Sequence, residues 1–149
     1  MPPLVYVLNG PNLNLLGERE PHIYGTETLQ QIRARCEDKA RTLGIEIDFR
    51  QSNHEGALID AVHEARGRAA GIVINPAGLT FTSVSLLNAL QAYDGLKIEI
   101  HLTNRARREE YYHKSLVSLT ADGIVEGLGG DGYLLAIEAV AMKLARPGR

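Results

Sequence analysis

The sequence predicts an α/β fold, a five-stranded all-parallel sheet with helices on both faces. Three observations predict it. Short apolar runs enriched in β-branched residues recur along the chain, as strands buried on both faces require. Amphipathic helical patterns separate those runs, so strand and helix alternate throughout. The residues equipped for chemistry gather after the strands, at the end of a parallel sheet where ligands bind.

The first strand is LVYVLN (4–9). The segment LNGPNLNLLGEREPHIYG (8–25) follows, and it is far longer than the ~2–6 residues usual between a strand and a helix. It holds three asparagines, Arg19 and Tyr24, punctuated by Gly and Pro. The first helix covers 27–43, where Leu29, Ile32, Cys36, Ala40 and Leu43 recur at helical spacing. IEIDFR (45–50) is the second strand. Ser52-Asn53-His54-Glu55 then reads as a capping box opening a second helix. Leu58, Ile59, Val62 and Ala65 form that helix's inner face, and Gly67 suits its end. AGIVIN (70–75) is the third strand, and Val84, Leu87 and Leu90 mark a third helix over 83–93. KIEIHL (97–102) is the fourth strand and GIVEGL (123–128) a weaker fifth. The last helix, 132–145, carries Tyr133, Ile137, Val140, Ala141 and Leu144, with Pro147 beyond it and a tail, ARPGR, expected to fray. Five strands in 149 residues suit a flavodoxin-like, doubly wound arrangement, in one domain spanning 1–149.

Composition narrows the function classes. The chain is 44% hydrophobic with a formal net charge of −2, and its Lys and Arg are mixed with Asp and Glu. Nothing here resembles a nucleic-acid footprint. No apolar run approaches the ~20 residues of a membrane-spanning helix. The opening MPPLVYVLNG lacks the basic and apolar regions of a secretory signal. A single cysteine, Cys36, leaves no internal disulfide framework. These features predict a cytoplasmic protein that meets neither nucleic acid nor membrane.

Cofactor and metal signals are weak. NGPNLNLLG after the first strand is not the GxGxxG of a dinucleotide fold, nor a hydroxyl-rich flavin loop. GLGGDG (127–132) fits an anion site at a helix start, but also a tight turn, the simpler reading. The five histidines, 22, 54, 63, 101 and 113, show no metal-ligand spacing; His63 reads as a polar-face residue. Cys36 belongs to an apolar stripe, so it reads as core. No GxSxG marks a serine hydrolase.

Two pairs carry more chemistry. Glu99 and His101 are i and i+2 on a strand, hence on one face. The carboxylate can orient the imidazole and hold it protonated, which makes a general acid at the strand's end. A structural salt bridge fits the pair equally well. Arg19 and Tyr24 are the second pair. A free phenol, with pKa ~10, is a poor base at neutral pH, and a guanidinium held against it favours phenolate. For an isolated arginine and tyrosine, a solvated cation and a packed ring are the simpler description.

Taken together, these residues are not isolated. The chain closely resembles type II 3-dehydroquinate dehydratase over nearly its whole length, through LNGPNLNLLGEREPHIYG (8–25), QSNHEG (51–56), INPAGLTFTS (74–83), EIHLTN (99–104) and GLGGDGY (127–133). The resemblance implies removal of water from a β-hydroxy ketone through an enolate, without cofactor or metal. It implies Tyr24 as the phenolate base, assisted by Arg19 and by Arg108, and Asn12 as holder of the water that stabilises the enolate. His101 becomes the acid, oriented by Glu99; Asn75, the backbone from Leu102 and Thr103 bind the carboxylate end of a small-molecule substrate. The long loop becomes a lid that carries the base. The resemblance also implies a homo-oligomer, trimers grouped into a dodecamer, with a neighbouring subunit touching each site.

Departures from the family pattern fall at the end that reads the ring hydroxyls. Phe81 stands where a substrate-binding histidine is usual, Asn88 replaces an aspartate that reaches a neighbouring site, and Tyr112 replaces an arginine. Thr103 replaces a serine, and Ala106 a histidine. Each buried hydroxyl left unpartnered costs ~1–3 kcal/mol, so two such losses lower kcat/KM roughly a thousandfold. A tyrosine hydroxyl or bridging water recovers part of that. Three readings follow: a 3-dehydroquinate dehydratase with a repacked pocket, a sister dehydratase for a less hydroxylated cyclic keto acid, and a binding paralogue without turnover. Joint retention of Asn12, Arg19, Tyr24, Glu99 and His101 speaks against the last.

Overall fold

Five parallel strands form one sheet: β1 (Leu4–Asn9), β2 (Glu46–Gln51), β3 (Gly71–Asn75), β4 (Leu96–His101) and β5 (Gly123–Glu126). Their order is β2-β1-β3-β4-β5, the flavodoxin-like order predicted, and the strand order reverses between β1 and β3. The computed structural model describes residues 1–146. Pro147 and most of the tail expected to fray lie outside the described residues.

The two-residue period of the strands sorts the core into two layers. From β1, Val5 and Val7 face one side and Tyr6 and Leu8 the other, all fully buried. The first layer is covered by α2 (Leu29–Leu43) and α5 (Asp131–Leu144), the second by α3 (Glu55–Ala65) and α4 (Val84–Gln91). A single helical turn, α1 (Pro21–Tyr24), sits within the long loop after β1. Cys36 is fully buried on α2, as its stripe implied, and burial pushes its thiol up to about 12. His63 is exposed on α3, as predicted.

The boundaries differ from the sequence reading where local chemistry intervenes. The first long helix starts at Leu29, not 27, because Thr28 caps it: its hydroxyl accepts from Gln31 N, and Gln31 accepts from Thr28 N. The capping box expected at 52–55 does not form. Ser52 Oγ instead accepts from His54 N at 3.0 Å, the helix starts at Glu55, and the Glu55 carboxylate turns to the Ser83 hydroxyl. Ser83 in turn caps α4, accepting from Leu86 N at 2.9 Å. On α4, Leu87 and Leu90 are buried as predicted and Leu86 joins them, while Val84, next to the capping Ser83, is exposed. β5 ends at Glu126 rather than 128, because Gly127 takes a left-handed φ of 89°.

At their carboxyl ends the central strands are clamped together. The Tyr133 hydroxyl, buried under the sheet, donates to Asn9 Oδ1 at 2.6 Å and accepts from Asn75 Nδ2 at 3.0 Å. This ties β1, β3 and α5 at the level where the chemistry sits. Burial raises the Tyr133 phenol above its ordinary range, so it remains a neutral donor.

Candidate active site

The loop after β1 leaves the sheet through a tight passage. Gly10 N donates to Asn75 O at 2.8 Å, and a Cβ at Gly10 would lie 2.3 Å from the Pro76 carbonyl oxygen. Only glycine fits there. Asn12 follows in the left-handed region, φ 71°, which Asn tolerates better than most residues. Its N–H donates to Asn53 Oδ1 at 2.9 Å, and that oxygen also accepts from Gln51 Nε2 at 3.1 Å. The segment after β2 thus braces the loop after β1. Leu13 and Leu16 bury themselves in the core and anchor the first half of the loop. Pro21 opens α1, which ends on Tyr24.

Tyr24 meets two arginines in different ways. Arg108 Nη1 and Nη2 both lie 3.4 Å from its hydroxyl, and Nη1 also donates to Thr103 Oγ1 at 3.2 Å. The Arg19 guanidinium lies over the ring, 5.1 Å from its centroid, and its side chain is 41% exposed. The resemblance put Arg19 foremost and Arg108 as helper; the geometry reverses their proximity to the oxygen. Burial disfavours charge on Arg108, but Tyr24, Tyr112 and Glu109 together outweigh it and the guanidinium is held above its ordinary value.

The Glu99–His101 pair closes as its spacing predicts. His101 Nε2 lies 2.5 Å from Glu99 Oε2. Ser115 Oγ donates to the same oxygen at 2.7 Å, and Ser118 Oγ donates to Oε1 at 2.5 Å. Burial alone would raise the Glu99 carboxyl; the hydrogen bonds from His101, Ser118 and Ser115 outweigh it and hold the group below its ordinary value. A carboxylate so fixed keeps the imidazole in one orientation. Beyond it, the carbonyls of His101 and Leu102 accept from Gly127 N (3.2 Å) and Gly129 N (3.0 Å). The glycine-rich segment is therefore a turn, with left-handed φ at Gly127 and Gly129, and those two N–H groups are taken up in holding the 101–102 backbone.

Tyr24, its two arginines and His101 border one cleft of about 230 Å³, at the carboxyl edge of the sheet beside the switch between β1 and β3. Arg19, Tyr24, Arg108 and His101 line it, with Asn12 and Asn75 below. The Asn75 side chain is fixed by Tyr133 and by Ala77 N, which donates to its Oδ1 at 3.2 Å. Its other end is aromatic: Phe81 meets Tyr112 edge-on, with centroids 5.2 Å apart at 88°.

The model of the class II dehydroquinase family matches residues 3–141. This chain belongs to that family. It is 57% identical over 135 residues to the 3-dehydroquinate dehydratase of Caulobacter vibrioides, covering 91% of this chain and 92% of that one. It is 53% identical over 146 residues to the enzyme of that name from Streptomyces avermitilis, covering 97% and 91%. Among solved structures, the type II dehydroquinase from Propionibacterium acnes superposes with a TM-score of 0.93 at 39% identity, covering 96% of this chain and 99% of that one.

Within this class II dehydroquinase, ten residues expected at the site line the cleft: Asn12, Arg19, Tyr24, Asn75, Phe81, His101, Leu102, Thr103, Arg108 and Tyr112. Glu99 stands behind His101, fully buried. Asn88 is not brought together with them; it is exposed on α4 and outside the cleft lining. Arg105 and Tyr111 also line the cleft and were missed. Arg105 Nε donates to Glu126 Oε2 at 2.9 Å, and its Nη1 reaches the carbonyls of Tyr112 and His113 at 3.4 Å each. The sequence carried no local signal for it: the 3₁₀ turn Arg105–Arg107 is what sets Arg105 and Arg108 on one face while Arg107 is exposed. Asn53 and Gln51 were noted after the second strand, but bracing the Asn12 backbone needs a long-range contact no local pattern shows.

Proposed function

We propose that this chain removes water from 3-dehydroquinate to give 3-dehydroshikimate, with the chemistry divided between a loop-borne base and a strand-borne acid. The observation that carries this reading is the placing of the Arg108 guanidinium 3.4 Å from the Tyr24 hydroxyl in the cleft that also holds the His101–Glu99 pair. The guanidinium is placed to pair with the oxygen that takes the proton. Tyr24 takes the proton α to the ketone, and the electron pair moves onto the ketone oxygen as an enolate. A water held by Asn12 donates to that oxygen. The enolate then collapses, the C–O bond to the β-hydroxyl breaks, and His101 protonates the departing oxygen, oriented by Glu99. Asn75, Thr103 and the backbone N–H groups of Leu102 and Thr103 hold the substrate carboxylate. The three cleft arginines favour an anionic ligand.

The loop carrying Tyr24 acts as a lid that excludes water and tightens the Arg–Tyr contact. One domain spanning the chain supports this chemistry, in a cytoplasmic homo-oligomer of trimers grouped into a dodecamer. Exposed Leu119, Ile124 and Leu128 supply apolar surface for such assembly, and Asn88 then faces a neighbouring site. Among the described residues, no helix is long and apolar enough to cross a membrane.

The test is turnover of 3-dehydroquinate, followed by ultraviolet absorbance of the conjugated product, beside Tyr24→Phe. Fast turnover lost in the variant is the expected result; a folded chain without turnover overturns the assignment. The Phe81–Tyr112 wall favours one second reading, a dehydratase for a less hydroxylated cyclic keto acid. Such a compound turned over with higher kcat/KM than 3-dehydroquinate would establish it.

A further inference from the structure

The Arg108 guanidinium does not rest on Tyr24 alone. Its central carbon lies 4.2 Å from the centroid of the Tyr112 ring, closer than its 5.5 Å approach to the Tyr24 ring. Tyr112 is held from two sides, edge-on by Phe81 at 5.2 Å and by Tyr111 at 4.6 Å. Its N–H donates to Glu109 O at 2.9 Å, and its carbonyl accepts from Arg105. Against this stack stands a competitor: the Glu109 carboxylate, 59% exposed, lies 3.6 Å from Arg108 Nε. Without the ring, Arg108 is free to follow that carboxylate toward solvent and away from the phenol.

From this geometry we infer that Tyr112 is a positioning residue, whose π face holds the Arg108 guanidinium against the Tyr24 hydroxyl. The ring, not its hydroxyl, does this, since cation–π attraction comes from the quadrupole of the aromatic face. A side chain that is aromatic here also carries no second cation to compete for the Tyr24 oxygen. The inference builds on the proposed role of Tyr24 as base. The charged and titratable groups facing Tyr24 are Arg108 at the hydroxyl, Arg19 over the ring, and Tyr112 beside them, with His101 in the same cleft. Glu109 faces Arg108, and Glu20 faces Arg19 at 3.9 Å.

The experiment reads Tyr24 itself and needs no turnover. Ultraviolet titration of the tyrosinate band, taken as the difference between chains with and without Tyr24→Phe, isolates the Tyr24 midpoint. It is run in the native background, in Tyr112→Phe and in Tyr112→Leu. The expected result is a midpoint raised by roughly half to one pH unit in Tyr112→Leu, a threefold to tenfold change in the proton equilibrium. Tyr112→Phe keeps the ring and removes only the hydroxyl that neighbours Tyr24, so it moves the midpoint by less than Tyr112→Leu does. An unmoved midpoint in Tyr112→Leu overturns the inference, as does an equal shift in both variants, which would assign the effect to the hydroxyl. Where Tyr112→Leu does not fold, Tyr112→His, judged by the same titration above the imidazole range, replaces it, with the same two outcomes. With 3-dehydroquinate, kcat falls with the acid limb of its pH profile displaced upward in Tyr112→Leu, at nearly constant KM. A KM effect alone with kcat intact would make Tyr112 a wall of the substrate site and overturn the positioning role. Loss of turnover in the native chain would sink the assignment of function while leaving the titration to decide the role of Tyr112.

Discussion

The proposed acid and the proposed base of this cleft are built in opposite ways. His101 sits on β4, and its partner Glu99 is two residues away on the same strand, fully buried and fixed by Ser115 and Ser118. Tyr24 sits on a loop turn, and its nearest cation, Arg108, is 84 residues distant. The sheet positions the first pair before any substrate arrives. The second pair depends on a loop, a 3₁₀ turn and an aromatic stack meeting in space. Rigid orientation suits the acid, whose hydrogen-bond direction must be fixed; adjustable assembly suits the base, which has to close over a ligand.

The largest expected effect comes from removing the proposed base. Tyr24→Phe keeps the ring beneath Arg19 and deletes only the oxygen, so kcat should fall ~10³–10⁴-fold with little change in melting temperature. Steady-state rates beside a thermal melt check both parts. A fall below tenfold would remove Tyr24 from the proton transfer and collapse the contrast between loop and strand.

On the strand side, Glu99→Gln should lower kcat roughly a hundredfold, because the amide neither stabilises an imidazolium nor matches the two serine donors. It also changes how stability depends on pH. The folded Glu99 carboxyl lies below its ordinary value of 4.5, so its stabilisation is fully present above the unfolded value and is lost as pH falls through the folded one. Melting temperatures from neutral pH downward should therefore fall less steeply below about pH 4.5 in the variant than in the native chain. An identical slope would mean that Glu99 is not the buried acid-sensitive group.

The two arginines sharpen the comparison within the base itself. Arg108 bridges Tyr24 and Thr103 through its planar fork, a geometry that lysine cannot reproduce, whereas Arg19 acts through charge over a ring. Arg108→Lys should lower kcat about tenfold or more and Arg19→Lys only about twofold to threefold. The reverse order would restore Arg19 as the principal partner.

This asymmetry also explains what was legible in the sequence. Alternating apolar runs marked all five strands close to where they lie, and the parallel sheet followed from the βα alternation. Glu99 and His101 could be paired from a period of two alone. Arg108 and Tyr24 could not, and joined only through resemblance to the family. The failed capping box at 52–55 has the same origin: Glu55 fits the local pattern, but its carboxylate goes to Ser83, 28 residues on. Arg105 was hidden because a run of arginines looks solvated until the 3₁₀ turn places one of them against Glu126. Local periodicity thus reveals elements and pairs within one element, while contacts between loops stay invisible to it.

Asn53 tests the smallest link in that chain of loop contacts. Its Oδ1 accepts from the N–H of Asn12, a residue held at φ 71°, and Gln51 fixes the amide from behind. Asn53→Ala removes one hydrogen bond worth ~0.5–1.5 kcal/mol, so kcat should fall about threefold to tenfold while the melting temperature moves by only a few degrees. The loss should appear in kcat rather than KM, because the role proposed for Asn12 is at the enolate and not at the carboxylate. Asp at position 53 keeps an acceptor for the Asn12 N–H, so Asn53→Asp should recover most of the rate. Equal damage from Ala and Asp would mean that the amide donors of Asn53 matter instead, and that the segment after β2 contributes to the cleft by some route other than bracing Asn12.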